Sequence, residues 1–259
     1  MSGDFLPKAA DSAARNVVAW KERFRVENGP GGASGVAFLP GDAAGCGVIA
    51  EIKMKSPSAG ELMGGKDPVN LLGEYESGGA QAVSVVVEEH FFGGSPELFM
   101  EITSNTVLPV LWKDFVVDEF QIELAARLGA SAILLIESLL SGSDLGIMIQ
   151  RCRTSGLRPL VEVHGEAALK RAIDSGADLV GVNNRNLKTL EVDLEMSERL
   201  AGQIGGGISA VAESGMKTPE DVARMARLGY RAVLIGEALV TSDSVEPGLR
   251  AMVEAGEKR

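Results

Sequence analysis

Two opposite charges, Glu51 and Lys53, interrupt an apolar run in the first quarter of the chain. Side chains in a β-strand alternate between its two faces, so these residues share a face, with Ile49 further back on it. A buried charge is costly unless it is paired, and two opposite charges on one strand face therefore indicate a polar site. Residues 56–60 follow, and their Ser, Pro and Gly content is typical of a mobile loop. Paired charges at a strand end beside a flexible loop indicate part of an active site.

The elements that must position this site recur regularly from residue 48 onward. Short apolar runs alternate with segments of helical periodicity, several of which end at a glycine, as at Gly129, Gly176 and Gly229. Eight runs of this kind, without a dinucleotide-binding glycine motif, favour an α/β fold that is a closed (β/α)8 TIM barrel. The predicted strands are 48–52, 82–87, 109–112, 131–136, 159–163, 178–182, 209–212 and 231–235, and the clearest helices are 118–128, 166–172, 193–200 and 219–228.

The beginning of the chain does not share this alternation. Residues 11–26 have helical character, with Trp20 and Phe24 among basic residues, and the run Gly29-Pro30-Gly31-Gly32 is expected to end that helix. We therefore predict a single barrel domain over 46–259, with 1–45 as a helical extension outside the main architecture that covers one end of the barrel. A length of 259 residues is normal for one such domain.

A barrel of this kind carries its chemistry at the carboxyl ends of its strands, and in this chain every predicted strand ends in polar residues. A solvated rim would need only outward-facing charges, and it does not explain Lys113 and Glu162, which have strand residues on both sides. In strand order, the polar ends are Glu51 with Lys53, Glu88 to His90, Lys113 with Asp114, Glu137, Glu162 with His164, Asn183 to Asn186, Glu213 with Ser214, and Glu237.

The composition limits the possible partners and location. A formal net charge of −11 disfavours nucleic acid, whose affinity comes from neutralising phosphates with Lys and Arg. No apolar run approaches the roughly 20 residues that span a membrane, and no signal peptide is visible. Cys46 and Cys152 lack metal-ligand spacing and are expected to be reduced thiols. We expect a cytoplasmic enzyme that needs no cofactor and no metal.

Six motifs follow one another along the chain: residues 49–58, Phe92-Gly93-Gly94-Ser95, Lys113-Asp114-Phe115, Glu162-Val163, residues 183–187, and Ala212-Glu213-Ser214-Gly215. In this order and with this spacing, they resemble the motifs of the indole-3-glycerol phosphate synthase family. The resemblance runs from the first helix to the last, and its Glu-Ile-Lys-x-x-Ser-Pro-Ser motif is specific. It implies ring closure of 1-(2-carboxyphenylamino)-1-deoxyribulose 5-phosphate, with loss of carbon dioxide and water.

The resemblance also implies roles for individual residues. Lys113 matches the general acid at the ribulose carbonyl, and we expect burial and a neighbouring Lys53 to lower its pKa. Glu162 matches the general base. Glu51 holds the lysines in position, and the division of the dehydration protons between Glu51 and Lys53 stays open. The catalytic set implied by the family is Glu51, Lys53, Lys113, Glu162, Asn183, Glu213 and Ser214.

The two ends of the substrate have their own predicted partners. The phosphate is expected against backbone N–H groups where strands seven and eight end, with the Glu237 side chain turned away from it. The anthranilate ring is expected in an apolar slot, with polar partners for its carboxylate. The phosphate set is Lys55, Ser214, Gly215, Gly236 and Glu237, and the anthranilate set is Ser56, Pro57, Phe92, Phe115, Leu134 and Arg185.

Other functions remain open at this point. A phosphosugar aldolase would use Lys113 or Lys53 as a Schiff base, and an isomerase would favour an Asp/Cys pair. A non-catalytic phosphosugar-binding barrel would bind ligand without turnover. His90 and His164 match no family catalytic position, and we expect both to be surface residues. The partner is expected to be a small phosphorylated molecule, with no nucleic acid or membrane, and the chain to be a monomer or a weak homo-oligomer.

Overall fold

The computed structural model describes residues 5–24, 33–39, 45–140, 143–187 and 189–257. Within these ranges, eight parallel strands close into a barrel in which each strand pairs with the next one along the chain and the last pairs with the first. The predicted (β/α)8 barrel is therefore confirmed. The barrel strands are β1 (Gly47–Ile52), β4 (Ala82–Val86), β5 (Val110–Lys113), β6 (Ala132–Ile136), β7 (Arg158–Val163), β8 (Leu179–Asn183), β9 (Ser209–Glu213) and β10 (Ala232–Ile235).

Helices alternate with the strands and surround the barrel. Several begin at side chains that satisfy free backbone N–H groups: Asp118 and Thr218 form capping boxes, and Asp67 accepts from two N–H groups. No helix of the described ranges is long and apolar enough to cross a membrane. The helices are α1 (Phe5–Arg23), α2 (Pro68–Ser77), α3 (Glu89–Phe92), α4 (Pro96–Ser104), α5 (Glu119–Arg127), α6 (Asp144–Thr154), α7 (Glu166–Asp174), α8 (Glu195–Ala201), α9 (Pro219–Arg227), α10 (Glu237–Val240) and α11 (Val245–Glu257), with a 3-10 turn at Glu137–Leu139.

The alternation of side chains along each strand separates two apolar clusters and places the polar residues. In β7, Val161 and Val163 point outward to the helices, whereas Leu160 points into the barrel. Glu162 is two residues after Leu160 and so shares its inward face. Ile49 and Glu51 of β1 are related in the same way. The barrel interior is thus apolar towards the amino ends of the strands and charged towards their carboxyl ends.

The N-terminal segment contacts both ends of the barrel. The Ser12 hydroxyl of α1 donates to Glu88 (2.8 Å), just after β4. Arg158, the first residue of β7, donates to the carbonyl oxygens of Phe38 and Leu39, which belong to the apolar cluster of the interior. Helix α1 begins at Phe5 and ends at Arg23, each earlier than predicted, and the predicted Gly29–Gly32 stop lies outside the described residues.

The loop after β1 contains a short hairpin. Strand β2 (Lys55–Ser56) pairs antiparallel with β3 (Gly60–Glu61), and the Leu62 N–H donates to the Met54 carbonyl (2.9 Å). The Lys66 ammonium then donates to two carbonyl oxygens at the end of α10, those of Val240 and Ser242. The predicted Ser/Pro/Gly-rich loop therefore has hydrogen-bonded secondary structure and is anchored at its far end.

The loop after β4 depends on close backbone approach at Gly94. The Gly94 N–H donates to the Glu88 carbonyl (3.0 Å), and a Cβ at Gly94 would lie 2.0 Å from the Val86 carbonyl oxygen. Because backbone must move to relieve that overlap, Gly94→Ala should lower the free energy of unfolding by about 1–3 kcal/mol in urea denaturation. The matched control is Gly73→Ala in α2, where nothing lies within 4 Å of the added methyl. It should be neutral or stabilising by up to about 1 kcal/mol, and equal effects of the two variants would contradict the packing described here.

Candidate active site

A cavity of about 850 Å³ opens at the carboxyl ends of the barrel strands. It brings together residues that are far apart in the sequence but follow neighbouring strands. Of the residues predicted for the site, Lys55 alone does not line it. Those that do are Glu51, Lys53, Ser56, Pro57, Phe92, Lys113, Phe115, Leu134, Glu162, Asn183, Arg185, Glu213, Ser214, Gly215, Gly236 and Glu237.

Lys113, the last residue of β5, is the central cation of the cavity. Its ammonium lies 3.4 Å from the Glu213 carboxyl and 3.8 Å from that of Glu162. Burial alone would lower the pKa of Lys113, but the carboxyls of Glu213, Glu162 and Glu51 outweigh it and raise that pKa above its ordinary value. The prediction of a lowered pKa was wrong, because it considered burial and the second lysine but not the three carboxyls that face Lys113.

Glu51 and Lys53 form the ion pair that their shared strand face predicts. The Lys53 ammonium lies 3.1 Å from Glu51 Oε1, and the Ser84 hydroxyl donates to Glu51 Oε2 (3.2 Å). Burial would raise the pKa of Glu51, but Lys53 and Lys113 together lower it below its ordinary value. Glu51 therefore stays ionised, with one oxygen on a cation and the other on a hydroxyl.

Glu213, the last residue of β9, has a raised pKa, whereas that of Glu51 is lowered. Its side chain is buried, and neither carboxyl oxygen has a hydrogen bond of good geometry within the described residues. Burial, opposed by Lys113 and reinforced by Glu162 and Glu51, raises the pKa of Glu213 to about 8. A Cβ at Gly181 of β8 would come within 2.0 Å of Glu213 Oε1, so the glycine provides the space for this carboxyl.

The end of β9 has a backbone turn that a non-glycine residue rarely adopts. Ser214 has φ +64° and Gly215 has φ +93°. The Asn184 amide, directly after β8, donates to the carbonyl oxygens of both Glu213 (3.0 Å) and Ser214 (3.1 Å). Its oxygen accepts from the N–H and hydroxyl of Ser197. Asn184 was among the polar residues predicted at this strand end, but no role was assigned to it.

Gly236 and Glu237 lie next to this turn because β9 and β10 are neighbours in the barrel. Helix α10 begins at Glu237, so the first backbone N–H groups of that helix have no partner within the helix. Lys55, which was predicted to reach the phosphate, lies elsewhere: its Cε would be 3.3 Å from a Cβ at Gly93.

The apolar wall of the cavity is built from aromatic rings. Phe92 and Phe115 have ring centroids 6.2 Å apart, and the Phe5 ring of α1 packs edge-on against both. Phe5 also lines the cavity. The sequence reasoning missed it, because the predicted helix began at residue 11.

A buried polar network holds Phe115 in place. Its N–H donates to Asp114 Oδ1 (2.9 Å), and the Gln121 amide bonds both Asp114 Oδ2 (2.8 Å) and the Phe115 carbonyl (3.0 Å). Burial raises the pKa of Asp114 to about 7, although the bonds from Gln121 and Phe115 oppose this. The network fixes the backbone directly after Lys113.

The polar residues after β8 and β7 complete the rim. Arg185 is held by two bonds, from its N–H to Asn183 Oδ1 (2.9 Å) and from its guanidinium to the Leu190 carbonyl (3.0 Å). His90 is exposed, as predicted. His164, which was predicted to be a surface residue, is partly buried: its side chain is 22% exposed, and Nε2 lies 3.2 Å from Glu162 Oε1. Strand β7 ends at Val163, and His164 follows it directly.

Comparison with known proteins agrees with this geometry. The model of the family described as indole-3-glycerol phosphate synthase matches residues 34–252. "Indole-3-glycerol phosphate synthase 1" of Streptomyces coelicolor is 46% identical over 223 residues, 86% of this chain and 82% of that protein. The indole-3-glycerol phosphate synthase of Mycolicibacterium gilvum is 42% identical over 249 residues, 95% and 91% of the two chains. A solved thiamine phosphate pyrophosphorylase of Pyrococcus furiosus, with TM-score 0.61, 14% identity and coverage of 82% and 96%, shares the fold alone.

The raised pKa of Glu213 predicts a pH-dependent stability difference. In the folded protein Glu213 holds its proton up to about pH 8, whereas the unfolded chain releases it near the ordinary value of 4.5. The stabilisation is therefore complete below pH 4.5 and is lost as pH rises towards 8. Glu213→Gln, which cannot ionise, should gain unfolding free energy relative to the unmodified protein between pH 5 and 8 in urea titrations.

Glu254→Gln, at an exposed position on α11, is the control for that titration. Its stability difference should change little with pH. A Glu213→Gln difference that is equally flat would mean that the Glu213 carboxyl is ionised throughout and would contradict its raised pKa.

Proposed function

The chain belongs to the indole-3-glycerol phosphate synthase family, and we propose that the cavity at the carboxyl ends of its strands carries out that family's carboxy-lyase reaction. The substrate is 1-(2-carboxyphenylamino)-1-deoxyribulose 5-phosphate, and the products are indole-3-glycerol phosphate, carbon dioxide and water. The observation that carries the proposal is the placement of the Lys113 ammonium beside Glu213 and Glu162 in a cavity with an aromatic wall.

Lys113 is the general acid of the ring closure. The aromatic carbon attacks the ribulose carbonyl, and negative charge develops on the carbonyl oxygen as the new bond forms. The raised pKa keeps Lys113 charged at neutral pH, so the proton is present when the reaction begins. An alkoxide is a stronger base than an amine, so proton transfer from the ammonium remains favourable as the oxygen charge develops.

The remaining steps use the other charged residues of the cavity. Loss of carbon dioxide leaves an indoline that must lose hydroxide and a ring proton to become aromatic. Glu162 is the general base that takes the ring proton, and the Glu51–Lys53 pair assists the departure of hydroxide as water. Glu213 lies beside Lys113 and is protonated at neutral pH, so it does not add a third full negative charge to the cavity.

The phosphate of the substrate binds at a polar surface of the cavity, and its aromatic ring binds at an apolar one. The phosphate binds at the turn of Ser214 and Gly215 and at Gly236 and the Glu237 N–H, with Lys55 brought over by the β2–β3 hairpin. The aromatic ring packs against the wall of Phe92 and Phe115, with Pro57 and Leu134. Ser56, Asn183 and Arg185 are the polar partners for the anthranilate carboxylate.

Two alternatives account less well for the charges observed. A Schiff-base aldolase needs a neutral amine as nucleophile, and the carboxyls around Lys113 keep it charged. An isomerase with an Asp/Cys pair would need a thiol in the cavity. Cys46 precedes β1 and Cys152 lies in α6, both are buried, and burial raises the pKa of each to about 12.

Turnover of the substrate tests the proposal directly. The purified protein should convert the carboxyphenylamino-deoxyribulose phosphate to a product with indole absorbance and fluorescence. Absence of this product at micromolar enzyme would contradict the proposed function, and binding without turnover would favour a non-catalytic barrel.

Variants of the acid and the base test the roles of Lys113 and Glu162. Lys113→Met and Glu162→Gln should each lower kcat by roughly 100-fold or more, because general acid or base catalysis contributes at least that much. Substrate should still bind, as titration calorimetry would measure. Lys170→Met, at an exposed position of α7, is the control and should leave kcat unchanged. Near-normal turnover in either site variant would remove that residue from its assigned role.

A further inference from the structure

His164 is the first residue after β7 and comes two residues after Glu162, with its ring turned towards the Glu162 carboxyl. Its Nε2 atom is buried and has no well-aligned hydrogen bond within the described residues, although Glu162 Oε1 lies 3.2 Å away. Gly165 follows with φ +150°, and helix α7 begins one residue later. The chain thus turns away from the barrel directly after placing the imidazole beside the carboxyl.

The Glu162 carboxyl has few other polar neighbours. It is 2% exposed, and its other oxygen, Oε2, lies 3.8 Å from the Lys113 ammonium. Among the described residues, Lys113 and His164 are the two chargeable donors within 4.0 Å of this carboxyl. Rotation about the last side-chain bond of a glutamate is only weakly restricted, so a carboxyl with no bonded donor is free to turn.

We propose that His164 is a positioning residue for Glu162. A small rotation of the ring brings its Nε2–H into line with Oε1, and the resulting hydrogen bond fixes the carboxyl with Oε2 towards Lys113 and the reacting carbon. This inference rests on the proposed function, in which Glu162 is the general base. A general base removes a particular ring proton efficiently only when its carboxyl points at that proton. A misoriented carboxyl lowers the reaction rate strongly, because catalysis is sensitive to small errors in position.

The bond accounts for two features that a surface histidine would not have. The nitrogen is turned inward and buried although the side chain as a whole reaches solvent at 22%. The carboxyl of the proposed base lies 3.2 Å from that nitrogen. His90, the other histidine of the chain, is exposed, and its ring packs edge-on against the ring of Phe91.

Substitution of His164 separates positioning from general stabilisation. His164→Ala should lower kcat about tenfold and leave KM within about twofold, because the ring does not line the substrate cavity. In His164→Gln the amide N–H reaches about as far as Nε2, so this variant should recover much of the lost kcat. His90→Ala is the matched control and should behave like the unmodified protein. An unchanged kcat in His164→Ala, or no recovery in His164→Gln, would overturn the proposal.

A spectroscopic measurement tests the contact without relying on turnover. The ring ¹⁵N resonances of His164 should shift when Glu162→Gln replaces the carboxyl with an amide, while those of His90 should not. Unshifted His164 resonances would overturn the inference even if the enzyme is active. If the unmodified protein forms no indole product, the proposed function fails, and the resonances still decide whether His164 bonds Glu162.

Discussion

The close approach of the Lys113 ammonium to the carboxyls of Glu162 and Glu213 is the interaction on which the rest of the site depends. Lys113 and Glu213 end β5 and β9, and Glu162 is the last residue but one of β7, so the three meet only because the barrel closes with its strands in register. Below them the interior is filled by apolar side chains, which leave the charges no competing water from that side. A lysine buried there without carboxyls would lose its proton, and with it the acid that the reaction needs.

The charged groups of the site balance only when Glu213 is protonated. Three carboxyls, of Glu51, Glu162 and Glu213, face two ammonium groups, of Lys53 and Lys113. Glu51 keeps its charge because Lys53 lies 3.1 Å from one oxygen and Ser84 donates to the other. At Glu213, burial outweighs the nearby Lys113 ammonium and raises the pKa to about 8, so this carboxyl retains a proton at neutral pH. The set is then close to neutral at physiological pH. This matters for a chain with a net charge of −11, because the proposed substrate is itself an anion.

Much of the architecture could be predicted from the sequence, because each strand is an apolar run bounded by glycine and helix caps. The shared face of Glu51 and Lys53 followed from the two-residue period alone, and their ion pair is confirmed. Properties that depend on several strands at once could not be predicted in this way. The direction of the Lys113 pKa shift depends on carboxyls from three other strands, and Phe5 reaches the cavity from a helix that precedes the barrel. Asn184 and His164 act through contacts that the sequence spacing does not reveal.

The charge state of Lys113 is the most direct test of this account. The side-chain ¹⁵N resonance of Lys113, assigned by its loss in Lys113→Arg, can be followed as pH rises in the otherwise unmodified protein. We predict that Lys113 is still protonated at pH 10.5, the ordinary pKa at which an unperturbed lysine is half titrated. A titration midpoint at or below pH 10.5 would show that the surrounding carboxyls do not stabilise the ammonium, and would contradict the role assigned to them.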